Sequence, residues 1–163
     1  MRFSFTIGFL FFISSYLSAQ NDKVKLYNPG ADAKSEIAAA AALADSAGKN
    51  VLLQIGGNWC SWCIKFNRFC ISDKEIDTLL QNNYIIVHVN YSNENKNLEI
   101  LKSFDFPQRF GFPVIVILDG KGNRLHTQDT GLLELGDSYD RKKVITFLSN
   151  WTPASLKPDN YEK

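Results

Sequence analysis

VLLQIGGNWCSWC, from Val51 to Cys63, carries the strongest structural signal in the chain. Its first five residues, Val51 to Ile55, form a short apolar run that predicts a buried strand, and Gly56-Gly57 ends that strand. A helix over about residues 60–70 is predicted to follow. The pattern therefore places a C-x-x-C pair at a strand-to-helix junction.

A C-x-x-C pair at the N-terminus of a helix has a specific chemistry. Unpaired N–H groups and the helix dipole stabilise a thiolate at the first cysteine and lower its pKa. Cys60 is therefore predicted to be the nucleophile. Cys63 is three residues further on and one turn deeper, so it is predicted to resolve a mixed disulfide and release the product.

Other roles for a cysteine pair leave different traces in a sequence. A structural disulfide is one alternative, and half of a zinc site is another, although no second C-x-x-C or H-x-x-x-H motif supplies the remaining ligands. Haem attachment is excluded because Ile64, not histidine, follows Cys63. Redox chemistry is the favoured interpretation.

The segments around the pair alternate between helix and strand patterns. An alanine-rich helix is predicted from Asp32, as its N-cap, to Gly48, as its stop. Ser72 and Glu75 form an S-x-x-E pattern that predicts a second helix over about residues 73–82. The β-branched run from Tyr84 to Val89 predicts a central strand.

The C-terminal half continues the alternation. A short helix is predicted over residues 98–104, and strands over 114–118 and 124–128 are predicted to pair as a hairpin across the turn at 120–123. Between residues 137 and 151, apolar residues at helical spacing predict a closing helix. The order indicates an α/β fold in which helices flank a sheet.

The N-terminus has the pattern of a secretory signal. A single charge at Arg2 precedes an apolar run over residues 3–17, which ends at Ser18-Ala19. About 15 apolar residues are fewer than the roughly 20 that span a bilayer, so cleavage near Ala19 is favoured over a membrane anchor. We expect an exported protein, periplasmic or extracytoplasmic in a bacterium, without stable membrane association after cleavage.

The charge balance and the number of cysteines exclude some classes of partner and of fold. The chain has 18 Lys plus Arg and 17 Asp plus Glu, and loss of Arg2 with the signal leaves 17 of each. Nucleic acid is not expected as a partner, because it requires a basic excess. Three cysteines within eleven residues are too few for a disulfide scaffold, so two are expected to pair and one to remain free.

Two separated motifs together resemble a known family. Gly57-Asn58-Trp59-Cys60-Ser61-Trp62-Cys63 after a buried strand, with Gly111-Phe112-Pro113 before another, resembles the thioredoxin superfamily, and most closely its small exported bacterial members. The resemblance covers about residues 33–151 of a domain predicted over 20–163. It implies a thioredoxin-like sandwich with a central mixed sheet flanked by helices. It also implies that Pro113 is a cis-proline facing the disulfide. A cis turn there would expose the backbone of Phe112 to an extended substrate strand, and Trp59, Trp62, Phe112 and Pro113 are predicted to bind substrate.

Two positions depart from the family pattern. Many thioredoxins carry a buried acid six residues before the first cysteine, where it handles the proton of the second, but Gln54 is found here. Proton handling by a carboxylate is therefore not expected. Ser61-Trp62 replaces the Gly-Pro of ordinary thioredoxins, and this dipeptide influences the redox potential, so the direction of electron flow is not carried over.

The function predicted from these residues is thiol-disulfide exchange on proteins without a cofactor or metal. A reductase is slightly favoured over an oxidase or isomerase because of the family resemblance. The expected partners are disulfide-containing or dithiol protein substrates and an upstream thiol electron donor. Two alternatives from other classes are a carrier for a soft metal such as Cu(I) and a thioredoxin-fold binding module that has lost turnover.

Four further residues receive predictions of their own. Cys70 lies about 10 Å beyond Cys63 along the helix and is predicted to be a buried structural thiol. His88 and His126 are predicted to be structural. Trp62 is predicted to form a substrate-facing lip beside the pair, because residues that flank a helix N-terminus tend to border solvent.

Overall fold

A four-stranded mixed sheet lies between two layers of helices in the computed structural model, which describes residues 25–162. β1 pairs in parallel with β2 and antiparallel with β3, and β3 pairs antiparallel with β4. The order across the sheet is β2-β1-β3-β4. This arrangement confirms the predicted α/β sandwich. The strands are β1 (Asn50–Gly56), β2 (Tyr84–Asn90), β3 (Val114–Leu118) and β4 (Arg124–Asp129).

The predicted signal segment, residues 1–19, lies outside the described residues. Between residues 25 and 162, no helix combines the length and apolar character that a bilayer crossing requires.

Five helices cover the two faces of the sheet. α1 and α4 pack on one face through a core that includes Leu53, Val116 and Leu101, whereas α2, α3 and α5 pack on the other through Phe66 and Ile76, among others. Alternate residues of β1 enter the two cores because side chains alternate along a strand. The helices are α1 (Ala33–Ala47), α2 (Ser61–Ser72), α3 (Lys74–Asn83), α4 (Leu98–Ser103) and α5 (Arg141–Asn150).

α1 begins and ends at the predicted residues. The Asp32 carboxylate accepts hydrogen bonds from the N–H groups of Lys34 and Ser35 at 3.1 and 3.3 Å. Gly48 ends the helix with φ of 65°, a left-handed conformation that glycine adopts without steric cost.

β2 lies at an edge of the described sheet, so the prediction of a central strand over residues 84–89 is wrong. β2 is apolar although it has only one neighbouring strand, because helices on both faces of the sheet cover parts of it. Val89 is fully buried, while Ile86 is 41% exposed where that cover ends. Burial by helices and burial between strands select the same β-branched residues, and the sequence pattern does not separate them.

The junction of α2 and α3 corrects the predicted cap. Ser72 is the last residue of α2, and its hydroxyl donates to the Phe69 carbonyl at 3.1 Å. Asp73 caps α3 instead, because its carboxylate accepts from the N–H groups of Glu75 and Ile76 at 3.0 and 3.1 Å. The predicted helix over about 73–82 is confirmed, but its N-cap is one residue later than predicted.

The C-terminal half contains the predicted hairpin and closing helix together with one unpredicted feature. β3 and β4 pair in antiparallel register, and α5 starts after Asp140, whose carboxylate accepts from Lys143 N at 3.1 Å. Between them, β5 (Glu134–Leu135) and β6 (Ser138–Tyr139) form a separate two-stranded sheet. Strands of two residues leave no periodicity for a sequence pattern to detect.

Candidate active site

The cysteine pair lies where β1 gives way to α2, as the sequence predicts. Cys60 is the N-cap residue of α2 and forms a disulfide with Cys63, with 5.2 Å between the two Cα atoms. Cys63 N–H donates to the Sγ of Cys60 at 3.1 Å. The first sulfur therefore lies at the positive end of the helix dipole, which favours a thiolate when the pair is reduced.

The two sulfur-bearing residues differ in depth. Cys60 is 5% exposed and Cys63 is 0% exposed, so a substrate can reach only the first. This difference agrees with the predicted division into nucleophile and resolving residue, and the division itself stays a prediction.

Close contacts require glycine at the last residue of β1, Gly56, and at Gly57, which follows it. A Cβ atom on Gly56 would lie 2.4 Å from Cys63 Sγ and 2.8 Å from the Tyr27 hydroxyl oxygen. A Cβ on Gly57 would lie 2.7 Å from the Tyr91 carbonyl oxygen, as well as against the Trp59 ring. Side chains at these positions would displace the disulfide or the tryptophan that borders it.

Trp59 directly precedes the disulfide-bonded Cys60 and is 59% exposed. Its indole N–H donates to the Tyr91 carbonyl at 2.7 Å, and its ring meets Phe112 edge-on at 5.5 Å between centroids. Tyr91 packs against the same Phe112 ring at 4.8 Å. Trp59 is therefore held in place while much of its surface faces solvent.

Trp62 packs against the cluster formed by Tyr27 and the two cysteines and is half-buried. Its ring meets Tyr139 edge-on at 5.4 Å, and the Lys65 ammonium lies 4.3 Å from the ring centroid. The Tyr139 hydroxyl donates to the Trp62 carbonyl at 3.3 Å. The substrate-facing role of Trp62 stays a prediction, and Trp59 is the more exposed of the two tryptophans.

The loop before β3 lies at the same end of the sheet as the cysteine pair, because β3 runs antiparallel to β1 and Val114 pairs with Ile55. The Phe112-Pro113 peptide bond is cis, as the family resemblance implies. Phe112 packs against the cluster formed by Tyr27 and the two cysteines, and Pro113 is buried at the start of β3. The structure therefore brings the cysteines together with Trp59, Trp62 and Phe112, while substrate binding by these residues and Pro113 stays a prediction.

Comparison with known proteins identifies the family. A family profile described as thioredoxin-like matches residues 32–120, which is more than half of the chain. The protein belongs to the thioredoxin-like family.

Curated relatives of this thioredoxin-like chain are much longer proteins. It is 29% identical over 118 residues to the thiol:disulfide interchange protein DsbD of Yersinia pestis (strain Pestoides F), a match that covers 72% of this chain and 18% of that protein. DsbD of Actinobacillus pleuropneumoniae is 30% identical over 94 residues, covering 56% of this chain and 15% of that protein. The chain thus spans less than a fifth of the length of these relatives.

Solved structures share the thioredoxin-like fold at low sequence identity. The disulphide isomerase of Xylella fastidiosa Temecula1 superposes with a TM-score of 0.68 at 23% identity, covering 77% of this chain and 95% of that one. A thioredoxin from Thermus thermophilus superposes with a TM-score of 0.52 at 20% identity, covering 76% and 92%. These likenesses concern the fold alone.

The thioredoxin-like site includes Tyr27, which sequence reasoning missed. Tyr27 is buried beside both cysteines, and its hydroxyl oxygen accepts a hydrogen bond from Gln54 Nε2 at 2.7 Å. The same Gln54 nitrogen donates to the Cys63 carbonyl at 3.0 Å. Tyr27 precedes α1 in a segment without regular structure, so no helix or strand periodicity identifies it.

Cys70, His126 and His88, the other residues predicted to be structural, have different surroundings. Cys70 is a buried free thiol, and burial raises its pKa to about 12. His126 stacks on Trp151 at 4.4 Å between centroids, in agreement with the predicted structural role. His88 is half-buried on β2, where desolvation lowers its pKa and its Nε2 has no hydrogen-bond partner in residues 25–162.

Proposed function

We propose that this protein is an exported thiol-disulfide oxidoreductase that reduces disulfides in other proteins. The observation that carries the proposal is the Cys60–Cys63 disulfide at the N-terminus of α2, beside the cis Phe112-Pro113 bond. The reductase direction and the protein substrates are supported by similarity to thiol:disulfide interchange proteins. Export is supported by the signal pattern in residues 1–19.

The chemistry proceeds in two exchanges. The Cys60 thiolate attacks one sulfur of a substrate disulfide, forming a mixed disulfide and releasing the other substrate sulfur as a thiolate, which takes a proton from solvent. The Cys63 thiolate then attacks Cys60 Sγ and displaces the second substrate thiolate. The substrate gains two electrons and two protons, and an upstream thiol donor returns the enzyme to the dithiol.

Substrate contact is proposed at the surface formed by Trp59, Trp62, Phe112 and Pro113. Flat aromatic rings near a reactive sulfur can contact extended peptides of many sequences, because they offer apolar area without demanding a particular partner. The backbone before Pro113 is proposed to pair with an extended substrate strand, which also tolerates sequence variation.

Two single substitutions test the assignment of the cysteines. We expect Cys60→Ser to abolish reduction of a protein disulfide such as that of insulin, and Cys63→Ser to accumulate mixed disulfides that mass spectrometry detects. Cys70→Ala serves as the control that retains both reactive sulfurs. Activity in Cys60→Ser combined with no trapped partner in Cys63→Ser would overturn the assignment.

The direction of electron flow is tested by equilibrating the protein with glutathione redox buffers. We expect the Cys60–Cys63 couple to be more reducing than the glutathione pool, because a more reducing dithiol passes electrons to a wider range of protein disulfides. A couple more oxidising than glutathione would make the protein an oxidase or isomerase.

The alternative of a copper carrier would use the two thiolates of Cys60 and Cys63 as soft ligands for Cu(I). Among residues 25–162 there is no group of three or more His, Cys, Asp or Glu side chains placed to hold a metal ion. The one methionine of the whole sequence is Met1.

A further inference from the structure

Cys63 needs a polar partner when it becomes a thiolate, and Gln54 is not a suitable one. Cys63 is fully buried, and a buried thiolate without a hydrogen bond is strongly disfavoured. The Gln54 amide has no proton to exchange at neutral pH. Its two N–H groups are already directed at the Cys63 carbonyl and at the Tyr27 hydroxyl.

This arrangement determines the role of the Tyr27 hydroxyl. The Cys63 carbonyl can only accept a hydrogen bond, so the NH₂ group of Gln54, and not its oxygen, must face it. The second amide hydrogen then goes to the Tyr27 oxygen, which acts as an acceptor. The phenolic hydrogen of Tyr27 has no acceptor among residues 25–162 and stays available for donation.

The Tyr27 hydroxyl and the Cys63 sulfur face the same small space. A Cβ atom built on Gly56 would lie 2.8 Å from the Tyr27 hydroxyl oxygen and 2.4 Å from Cys63 Sγ. Because glycine has no Cβ, the space between these two atoms stays open. Tyr27, Cys60 and Cys63 pack as one buried cluster. A modest movement of the sulfur when the disulfide opens would bring it within hydrogen-bonding distance of the phenol.

Asn58 holds the backbone of Tyr27 at two points. Its side-chain oxygen accepts from Tyr27 N–H at 3.0 Å, and its side-chain nitrogen donates to the Tyr27 carbonyl at 2.7 Å. Asn58 thereby pairs with Tyr27 as a neighbouring strand would. Because Asn58 is two residues before Cys60, the tyrosine is attached to the cysteine motif itself.

Tyr27 is suited to donate a hydrogen bond and not to lose its proton. Desolvation raises the pKa of Tyr27 far above its ordinary value. The other titratable groups around the cluster are Cys60, the His88 ring edge-on to Tyr27 at 5.6 Å, and Tyr139. None of the described side-chain hydrogen bonds of Tyr27 or Gln54 comes from a charged residue.

We propose that Tyr27 donates a hydrogen bond to the Cys63 thiolate in the reduced protein, with Asn58 and Gln54 as positioning residues. The proposal rests on the proposed function. In the second exchange, Cys63 gives its proton to solvent, its thiolate attacks Cys60 Sγ, and the departing substrate thiolate takes up a proton. Tyr27 keeps its own proton throughout and stabilises the thiolate that attacks.

The test is the pKa of Cys63 in a Cys60→Ala/Cys70→Ala background, followed by thiolate absorbance and by alkylation rate against pH. We expect Tyr27→Phe to raise the pKa of Cys63, leaving about tenfold less thiolate at a given pH, as a lost hydrogen bond to a charged group requires. Tyr84→Phe is the matched control, because it removes another buried hydroxyl, bonded to the Leu148 carbonyl.

If Tyr27→Phe does not fold, a second variant tests the same proposal. Fluorinated tyrosine at position 27 keeps the shape of the ring and strengthens the donor, so it should lower the pKa of Cys63. An unchanged pKa of Cys63 in either protein would overturn the proposal and leave Tyr27 a packing residue. The proposed function is tested separately on the wild-type protein, which retains Cys60. If that protein does not exchange with glutathione disulfide, the proposed function is wrong, whatever the pKa of Cys63.

Discussion

The three cysteines have three different environments within eleven residues. Cys60 caps α2 and accepts a hydrogen bond from an N–H group, whereas Cys63 lies fully buried against Tyr27. Cys70 is further along α2 and its side chain faces the apolar core. Thiol reactivity depends on the stability of the thiolate, so the same functional group is expected to be reactive at the first position and inert at the third.

Cys70→Ala is expected to leave the rate of disulfide exchange unchanged. Its side chain is surrounded by core residues such as Phe66 and Ile76, and its removal is expected to cost on the order of 1 kcal/mol in the free energy of unfolding, as a small lost contact does. Urea denaturation and an exchange assay measure the two effects. A large loss of activity without loss of stability would give Cys70 a chemical role.

The raised pKa of Cys70 also predicts its reactivity. With a pKa of about 12, Cys70 has very little thiolate at about pH 8, where an ordinary cysteine is reactive. Iodoacetamide is expected to leave the folded, oxidised protein unmodified and to label one thiol after unfolding. Rapid labelling of Cys70 in the folded state would contradict its burial.

Gln54→Asp is expected to make both stability and exchange depend on pH. Gln54 is buried, so desolvation would raise the pKa of an aspartate there, and the Cys63 carbonyl would oppose its negative charge. Gln54→Asn is the matched control, since it has nearly the same shape without the charge. The exchange rates of both variants are measured across the neutral range, and identical profiles would show that position 54 does not influence Cys63.

The sign of the stability effect follows from the raised pKa. A carboxyl group whose pKa is higher in the folded state binds its proton more tightly there than in the unfolded chain. Gln54→Asp should therefore be most stable below the pKa of the unfolded aspartate and lose stability as pH rises through the folded value. Gln54→Asn should show no such loss.

At the scale of secondary structure, Asp73 joins two helices of one layer. It caps α3, and its carboxylate also accepts from Arg141 Nε of α5 at 2.6 Å. The Arg141 hydrogen bond and the N–H groups of α3 hold the pKa of Asp73 below its ordinary value. Both contacts are stronger with the charged carboxylate than with the protonated one.

Asp73→Ala is expected to lower the urea midpoint, whereas Ser72→Ala should leave it nearly unchanged, because the serine hydroxyl makes only a local bond to Phe69. A carboxyl group with a lowered pKa stabilises the fold above its unfolded pKa and loses that effect as pH falls through the folded value. The difference between the wild-type and Asp73→Ala midpoints should therefore shrink in acid. A larger effect from Ser72→Ala would restore the serine as the cap.

Local sequence patterns predicted the helices and strands well, but they did not predict which strands and side chains lie beside one another in space. The cap and stop of α1, the β3–β4 hairpin and the helix behind Cys60 each depend on residues close in sequence. The position of β2 in the sheet depends on which strands lie beside it, and the run of β-branched residues is the same at an edge or at the centre. Tyr27 was missed for a related reason, since its partners Gln54 and Asn58 lie 27 and 31 residues away.

At the scale of the whole molecule, the site extends beyond the family core. The family match begins at residue 32, whereas Tyr27 precedes it and still contacts both cysteines. Asn58 of the cysteine motif binds the segment that contains Tyr27. α1 follows this segment and packs on the face of the sheet opposite to α2. The segment that precedes α1 therefore packs against the disulfide through Tyr27.

Asn58→Ala is expected to loosen this segment and to affect the site at the same time. Loss of the Asn58 side chain leaves the N–H and carbonyl groups of Tyr27 without their partners, which should cost on the order of 2 kcal/mol in the free energy of unfolding. The Tyr27 amide should exchange faster with solvent, because its acceptor is gone. The pKa of Cys63 should rise in the same direction as in Tyr27→Phe, since the phenol is no longer held beside the sulfur.

Asn28→Ala is the matched control for Asn58→Ala. Asn28 also accepts from a backbone N–H, that of Gly30 at 3.0 Å, but the bond is exposed and spans only two residues. Urea denaturation, hydrogen exchange and the Cys63 titration on both variants separate a general effect of losing an asparagine from the specific one. If Asn58→Ala kept the protection of the Tyr27 amide and the stability of wild type, the N-terminal segment would be held by packing alone, and Asn58 would have no part in positioning Tyr27.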